Sequence, residues 1–302
     1  MTLSVGTVQN NNNAYDKKLE SKAILAGAAA SSICGIIGSL PSQAILENMQ
    51  KMNGELSTSQ ISDIRNALSK GLEQSELLKK GVKFIEIAVQ EPKTLKEKML
   101  AGNPLFATLF GKNACFVQKL PKTLKIKYIE DGVEKVAEKN MILAPQNKMV
   151  YSWFHEMGHA LNFNNGGYAK FLQKLRVPAQ VAAVVIPVVA LLSKKRNENG
   201  EKPLSAYDKT INFIRNNAGK LTFLCFVPAL IEEGLATAKG QKWAEKLLSS
   251  DVTKNMLKHN KLAFLTYVLC AVTSGYAAYA GVKAKDKYIE TKKKQLQNKM
   301  AA

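Results

Sequence analysis

Two of the chain's three histidines, His155 and His159, stand four positions apart around Glu156 in the stretch YSWFHEMGHALNFNN. On a helix, residues i and i+4 lie about 40° apart around the axis, so both imidazoles point along one face and can grip one ion. Glu156 is turned about 100° from His155, poorly placed to join the same ligand shell but near enough to hold an ion's water. A zinc ion suits imidazole and carboxylate ligands at tetrahedral positions, with one position left for water. It lowers the pKa of that water, which Glu156 can deprotonate as it attacks a carbonyl; Glu156 then passes the proton to the departing amine. With histidine this scarce, an accidental HExxH in the chain is expected at roughly the one-in-a-thousand level. The plain alternative is a pair of helix-surface histidines with no metal. The surroundings favour a built site: Tyr151, Phe154, Leu161 and Phe163 supply a packing surface, and Gly158 and Ala160 permit close approach.

HEMGHA resembles the zinc-binding helix of the zincin metallopeptidases, and the strand-like piece just upstream also fits that class. The resemblance covers NACFVQ through HEMGHALNF and one later segment, and does not extend to the N-terminal 80 residues. A metzincin would carry Gly at position 162 and His at 165, where this chain has Asn162 and Asn165. A site-2-type protease would set the motif inside an apolar span and draw an Asp from another, and no late apolar span here holds one. The gluzincin pattern remains, in which a Glu on a later helix is the third ligand. PALIEEGLATAKG offers it, because paired acids in an otherwise apolar helix are costly and mark a functional site. Glu233 and Ala236 are similar to the ExxAD element of membrane gluzincins of the HtpX and CAAX-protease type, with Thr237 in place of the Asp. The resemblance implies Glu233 as third zinc ligand, with Glu232 as the alternative. In that family the Asp orients a ligating histidine, so another residue must do so here, Glu232 among the candidates. An interhelical salt bridge to Lys239 or Lys220 is the bland reading of the pair. Tyr168 in NNGGYAK is a candidate oxyanion donor if its loop folds back. His259 in MLKHNK is a further candidate, read first as a surface residue beside an apolar span; Trp153 and Trp243 read as packing or interface anchors.

The elements that must position these residues alternate between globular and apolar. Residues 1–22, with the run Asn10 to Asn13 and the basic Lys17, Lys18 and Lys22, read as a disordered tail. Residues 23–46 are uncharged up to Leu46 and rich in small residues, reading as a first membrane helix with a break near Pro41. A signal-peptide core and a buried Ala/Gly-rich helix are the alternatives. Residues 47–176 form a small α+β unit. STSQISDIRNALSKGLEQSELLKKGV opens on capping residues and carries Ile61, Ile64, Leu68 and Leu72 at helical spacing. KFIEIAV, NACFVQKL, TLKIKYIEDG and NMILAP follow as strands separated by turn residues. Three apolar runs, 177–193, 221–238 and 262–282, complete four membrane helices, the third of them bearing the glutamate pair; a basic tail, 283–302, ends the chain.

The formal charge of +19 does not point to nucleic acid, because the lysines are scattered or flank apolar runs and no nucleic-acid-binding motif is present. Cys34, Cys115, Cys225 and Cys270 show no metal-ligand spacing and no disulfide framework. Flanking positive charge argues for a cytoplasmic N-terminus, with the 47–176 unit on the outer side of the cytoplasmic membrane; the inverted topology is the alternative, since that unit and the 239–261 loop also carry many lysines. Counted from Leu221, Glu233 lies about 18 Å along its helix in a hydrocarbon layer of about 30 Å, on the side of the HExxH unit. The expectation is a mainly helical α+β protein, a small zincin-like catalytic unit on about four membrane helices. It would be an integral-membrane zinc endopeptidase that lays a peptide or membrane-protein substrate along Asn140 to Pro145. Two alternatives stand beside it: a non-proteolytic membrane protein with a structural or regulatory zinc site, and a basic membrane-associated scaffold whose motif is accidental.

Overall fold

The computed structural model of the protein describes residues 5–92, 94, 104–120, 126–130, 133–195 and 204–301. The chain is mainly helical with two small sheets, and it divides into two compact units. One comprises Gln43–Arg176 and Pro228–Tyr267; the other comprises Met1–Ser42, Val177–Val227 and Val268–Ala302. The glutamate pair therefore belongs with the HExxH segment, in the first of these.

That first unit is built on α2 (Thr58–Gln74), a three-stranded sheet and α4 (Trp153–Asn164). Ser57 caps α2 with a complete capping box: its hydroxyl accepts from Gln60 N–H, and the Gln60 side chain accepts from Ser57 N–H. The helical spacing read from the sequence turns Ile64, Leu68 and Leu72 into the core, against Trp153, Phe154 and Met157 of α4 and Ile142 and Ala144 of the sheet. The sheet has the order β1 (Lys83–Ile87), β5 (Lys139–Pro145), β2 (Cys115–Lys119), with β1 parallel and β2 antiparallel to β5. The short α3 (Pro104–Leu109) lies between β1 and β2 in sequence. Arg65 of α2 reaches Glu86 of β1 at 2.6 Å and Asn147 Oδ1 at 2.9 Å, tying helix to sheet. A separate antiparallel pair joins β3 (Ile126–Glu130) to β4 (Val133–Ala137). β4 was not expected: Asp131 and Gly132, which lie outside the described residues, read as the end of a strand rather than as the link of a hairpin.

β5 is the central strand, with its hydrogen-bonding groups taken up on both sides. The expectation that a substrate lies along Asn140 to Pro145 is therefore corrected. An added strand needs a free edge, and β5 has none.

Among the described residues, four helical stretches are long and apolar enough to cross a membrane: Lys17–Gly54, Gly167–Leu192, Ala218–Leu247 and Ser250–Ala301. Each starts before the boundary read from the sequence, and all but Gly167–Leu192 also run past its end. α1 spans Val5–Gly54, so residues expected as a disordered tail are helical, and Pro41 does not break it. Extending a formed helix costs little compared with nucleating one, and the tail is tied down where Glu20 pairs with Lys285. α5 (Gly167–Leu192) begins well before position 177, and α9 (Ser250–Ala301) takes in the basic tail. The expected span 221–238 is interrupted: α7 (Ala218–Leu224) ends, and α8 (Val227–Leu247) restarts with Pro228 in its first turn, where a missing N–H costs nothing.

The second unit packs through small residues. Added Cβ atoms at Gly27 and Gly38 of α1 would collide with the Gly281 carbonyl and with Thr273, and Ser31 Oγ donates to Ala277 O at 2.8 Å. Close backbone approach of this kind is how membrane helices associate without a hydrophobic driving force. The last carbonyls of α5 are capped by side-chain cations. Lys285 Nζ donates to Leu191 O (2.8 Å) and Ser193 O (2.9 Å), and Arg215, from α6 (Ala206–Asn216), donates to Ala190 O (2.7 Å) and pairs with Asp286. Val181, Val184, Val185 and Val188 of α5 remain exposed, as do Ile33, Ile36 and Ile37 of α1. Such apolar stripes suit a lipid environment.

In the first unit α4 and α8 touch backbone to backbone. A Cβ at Gly158 would overlap the carbonyl of Ala236, and one at Gly240 would overlap the carbonyl of Phe154. Gly234, on the same helix as Gly240, has open space beside it. Gly240→Ala should therefore destabilise the protein by about 1–3 kcal/mol through overpacking. Gly234→Ala should be neutral, or stabilising by up to about 1 kcal/mol from helix propensity. Thermal unfolding in detergent distinguishes them; equal melting temperatures for the two variants would refute the close contact.

Candidate metal centre

Residues 146–149 turn the chain from β5 into α4. Asn53 Oδ1 accepts the Tyr151 N–H at 3.0 Å, filling one of the free donors at the helix start. The aromatic residues Trp153 and Phe154 anchor that turn in the core, and His155, Glu156 and His159 follow on it, all three buried. Glu232 and Glu233 of α8 meet them with 0 and 1 % exposure. Two sets of candidate ligand atoms result, His155–Glu156–His159 and His159–Glu232–Glu233, each lying within 4.8 Å of one another.

Three atoms converge most closely. His155 Nε2 and His159 Nε2 are 3.0 Å apart, and Glu233 Oε2 lies 3.1 Å from the first and 3.5 Å from the second. Donors around a tetrahedral zinc, at metal–ligand lengths of about 2.0–2.1 Å, are separated by about 3.3 Å. The donor set thus has both the chemistry and the spacing for such an ion. Of the two glutamates, Glu233 faces both Nε2 atoms, while Glu232 faces the far side of one ring.

Each ring's other nitrogen has a partner. His159 Nδ1 is 2.8 Å from Glu232 Oε1, and His155 Nδ1 is 3.0 Å from Thr237 Oγ1. Glu232 Oε1 also accepts from Asn162 Nδ2 at 2.9 Å. Arg176, on α5, places Nη1 2.7 Å from Glu232 Oε2 and Nη2 2.7 Å from Glu233 Oε1. The Glu233 contact is a close ion pair rather than an aligned hydrogen bond. The bland reading of the glutamate pair named Lys239 or Lys220; the cation that meets it is Arg176.

Glu156 stands apart from this ring of contacts. Its Oε2 accepts from Phe116 N–H of β2 at 2.7 Å. Among the described residues β2 pairs with β5 on one side only, so this N–H belongs to the outer edge of the described sheet. Burial raises the Glu156 carboxyl above the usual carboxylate range, against the lowering pull of the two imidazoles and the Phe116 N–H. Burial also opposes charge on His159, but the Glu233 and Glu232 carboxylates outweigh it and hold the ring's pKa well above the usual imidazole value. Nearby Cys115 is inert by comparison, its thiol pushed up to about 12 by burial.

Two weaker candidates are placed differently from expectation. Tyr168 is 62 % exposed on the first turn of α5, too open to serve as a buried oxyanion donor. His259, expected at the surface, is fully buried, its ring tilted against that of Tyr151 at 5.9 Å, with Nε2 unpartnered. It sits early in α9, where the helix enters the core of this unit rather than solvent.

Sequence reading missed Asn162 and Arg176. Asn162 is three residues beyond His159 and seven beyond His155, hence on their helix face, a signal available from periodicity alone. Arg176 borders an apolar run and read as a topological flank; nothing local distinguishes such an arginine from one that pairs with buried carboxylates. The chain was compared with protein-family models, with curated proteins and with solved structures, and it matches none of them.

Proposed function

We infer that the protein is a membrane-bound zinc endopeptidase of gluzincin type, with His155, His159 and Glu233 as zinc ligands and Glu156 as general base. The observation that carries this reading is the convergence of the two Nε2 atoms and Glu233 Oε2 within 3.0–3.5 Å, beside a buried glutamate not needed to complete the set. When bound, zinc would polarise a peptide carbonyl and make a water nucleophilic near neutral pH.

The chain's own residues supply the rest. Using Nε2 toward the ion leaves each Nδ1–H to donate outward, from His159 to Glu232 and from His155 to Thr237; this fixes tautomer and ring orientation. Thr237 then serves where the resembling family carries an aspartate. Glu156, with its pKa raised, is suited to take a proton from water and return it to the leaving amine. The outer edge of β2, whose Phe116 N–H meets Glu156, is the strand edge on which an extended substrate would lie, in place of β5.

The deep burial of all five ligand candidates favours one competing reading, a structural or regulatory zinc site in which Glu156 fills the fourth position. Glu156→Gln separates the two. In a peptidase it keeps zinc and lowers peptide cleavage by about 10²–10⁴-fold; in a structural site it weakens zinc binding instead.

Metal analysis of the detergent-purified protein tests the ligand set. Wild type should hold one zinc per chain, and Glu233→Ala should lose it. Glu232→Ala and Thr237→Val should keep it with affinity reduced about 10–100-fold. Zinc retained in the Glu233 variant and lost in the Glu232 variant would move the ligand by one residue, and no zinc in wild type would end the peptidase reading.

A further inference from the structure

We propose that Arg176 is a positioning residue that divides the labour of both buried glutamates, holding one oxygen of each so that only Glu233 Oε2 is presented to the ion. The proposal rests on the zinc-site reading above and assigns a function to a side chain that reading does not use.

The contacts split each carboxylate in two. Glu232 gives Oε2 to Arg176 Nη1 and Oε1 to His159 and Asn162. Glu233 gives Oε1 to Arg176 Nη2, which leaves Oε2 facing His155 and His159. A carboxylate free to rotate can offer a metal either oxygen or both. With Oε1 against the guanidinium, Glu233 has one to offer, and a coordination position is kept for water. Arginine suits this from one side chain, because its planar guanidinium sets two nitrogens at a fixed separation, one hydrogen-bonding Glu232 and the other ion-paired with Glu233, while lysine is a point charge.

Charge points the same way. Glu156, Glu232 and Glu233 are buried together, and with neutral imidazoles they carry three negative charges. Arg176 neutralises one and leaves two, the charge of one divalent ion. Without Arg176, the divalent site would keep an uncompensated buried negative charge, which proteins avoid.

The test uses full-length protein in detergent, stripped of metal and titrated with Co2+ and with Zn2+, for wild type, Arg176→Lys and Arg176→Met. Cobalt reports its ligand number in the visible spectrum, tetrahedral sites absorbing more strongly than five-coordinate ones. Wild type should give the strong four-coordinate band. Arg176→Lys keeps the charge and should keep stoichiometric metal, yet show a weakened band as Glu233 offers its second oxygen. Arg176→Met should weaken the band too and raise the zinc Kd by about 10–100-fold. An Arg176→Lys protein with wild-type cobalt spectrum would overturn the proposal even if the methionine variant failed to fold. A wild-type protein that takes up neither metal would instead overturn the zinc-site reading on which it rests.

Discussion

Two adjacent carboxylates with almost no access to water set the terms for the rest of this structure. Burying an ionised carboxylate without a partner costs several kcal/mol, and removing one partner from a buried pair costs about 3–5 kcal/mol. Glu232 and Glu233 persist at 0 and 1 % exposure because partners approach from three other helices: the imidazoles and Asn162 from α4, Arg176 from α5, and the Tyr267 side chain of α9, which meets Glu233. No one of these helices is self-sufficient. α4 alone would carry two buried histidines with nothing to receive them, and α8 alone would carry bare charges in an apolar segment. The division of the chain follows this logic, since Pro228–Tyr267 groups with Gln43–Arg176 and not with its sequence neighbours.

Bringing the partners together needs unusual proximity, and small residues provide it. Helix axes normally pack 8–10 Å apart, according to the side chains between them. Gly158 against the Ala236 carbonyl, and Gly240 against that of Phe154, remove the side chains from the α4–α8 contact. Ala236, Gly240 and Ala244 line one stripe of α8, all buried, and Glu233 lies on the same stripe. The spacing that allows close approach thus also places the carboxylate opposite Nε2. The scaffold behind α4 is rigid in a different way, with Trp153, Phe154 and Met157 packed on α2 and the sheet.

Much of this was legible in the sequence for a definite reason. HExxH is a local pattern, so helix, face and relative direction of the two imidazoles follow from periodicity alone. The α2 capping box and the strands β1, β2, β3 and β5 were equally local. The glutamate pair was legible because charge in an apolar run is conspicuous. What escaped reading depends on tertiary placement. Asn140 to Pro145 has the composition of any buried strand, and only the partners on both sides show it to be central. His259 follows a polar stretch, and its burial comes from packing against Tyr151, a residue over a hundred positions earlier. Helix ends were misjudged because apolar content marks what lipid can cover, whereas α5 and α9 continue well beyond their apolar segments.

Thr237 shows how the local and tertiary levels meet. In the ExxAD element that this segment resembles, an aspartate at this position orients a ligating histidine. In this chain the Glu232 carboxylate meets His159 Nδ1, while His155 Nδ1 has the neutral Thr237 hydroxyl. An aspartate at 237 would place a fourth carboxylate among Glu156, Glu232 and Glu233, with Arg176 as the one cation paired to the cluster among the described residues. Under the zinc-site proposal, a single divalent ion could not then neutralise the cluster. Threonine keeps an oxygen at hydrogen-bond distance from Nδ1 and adds no charge, so Thr237 and the adjacent pair of glutamates fit one electrostatic arrangement.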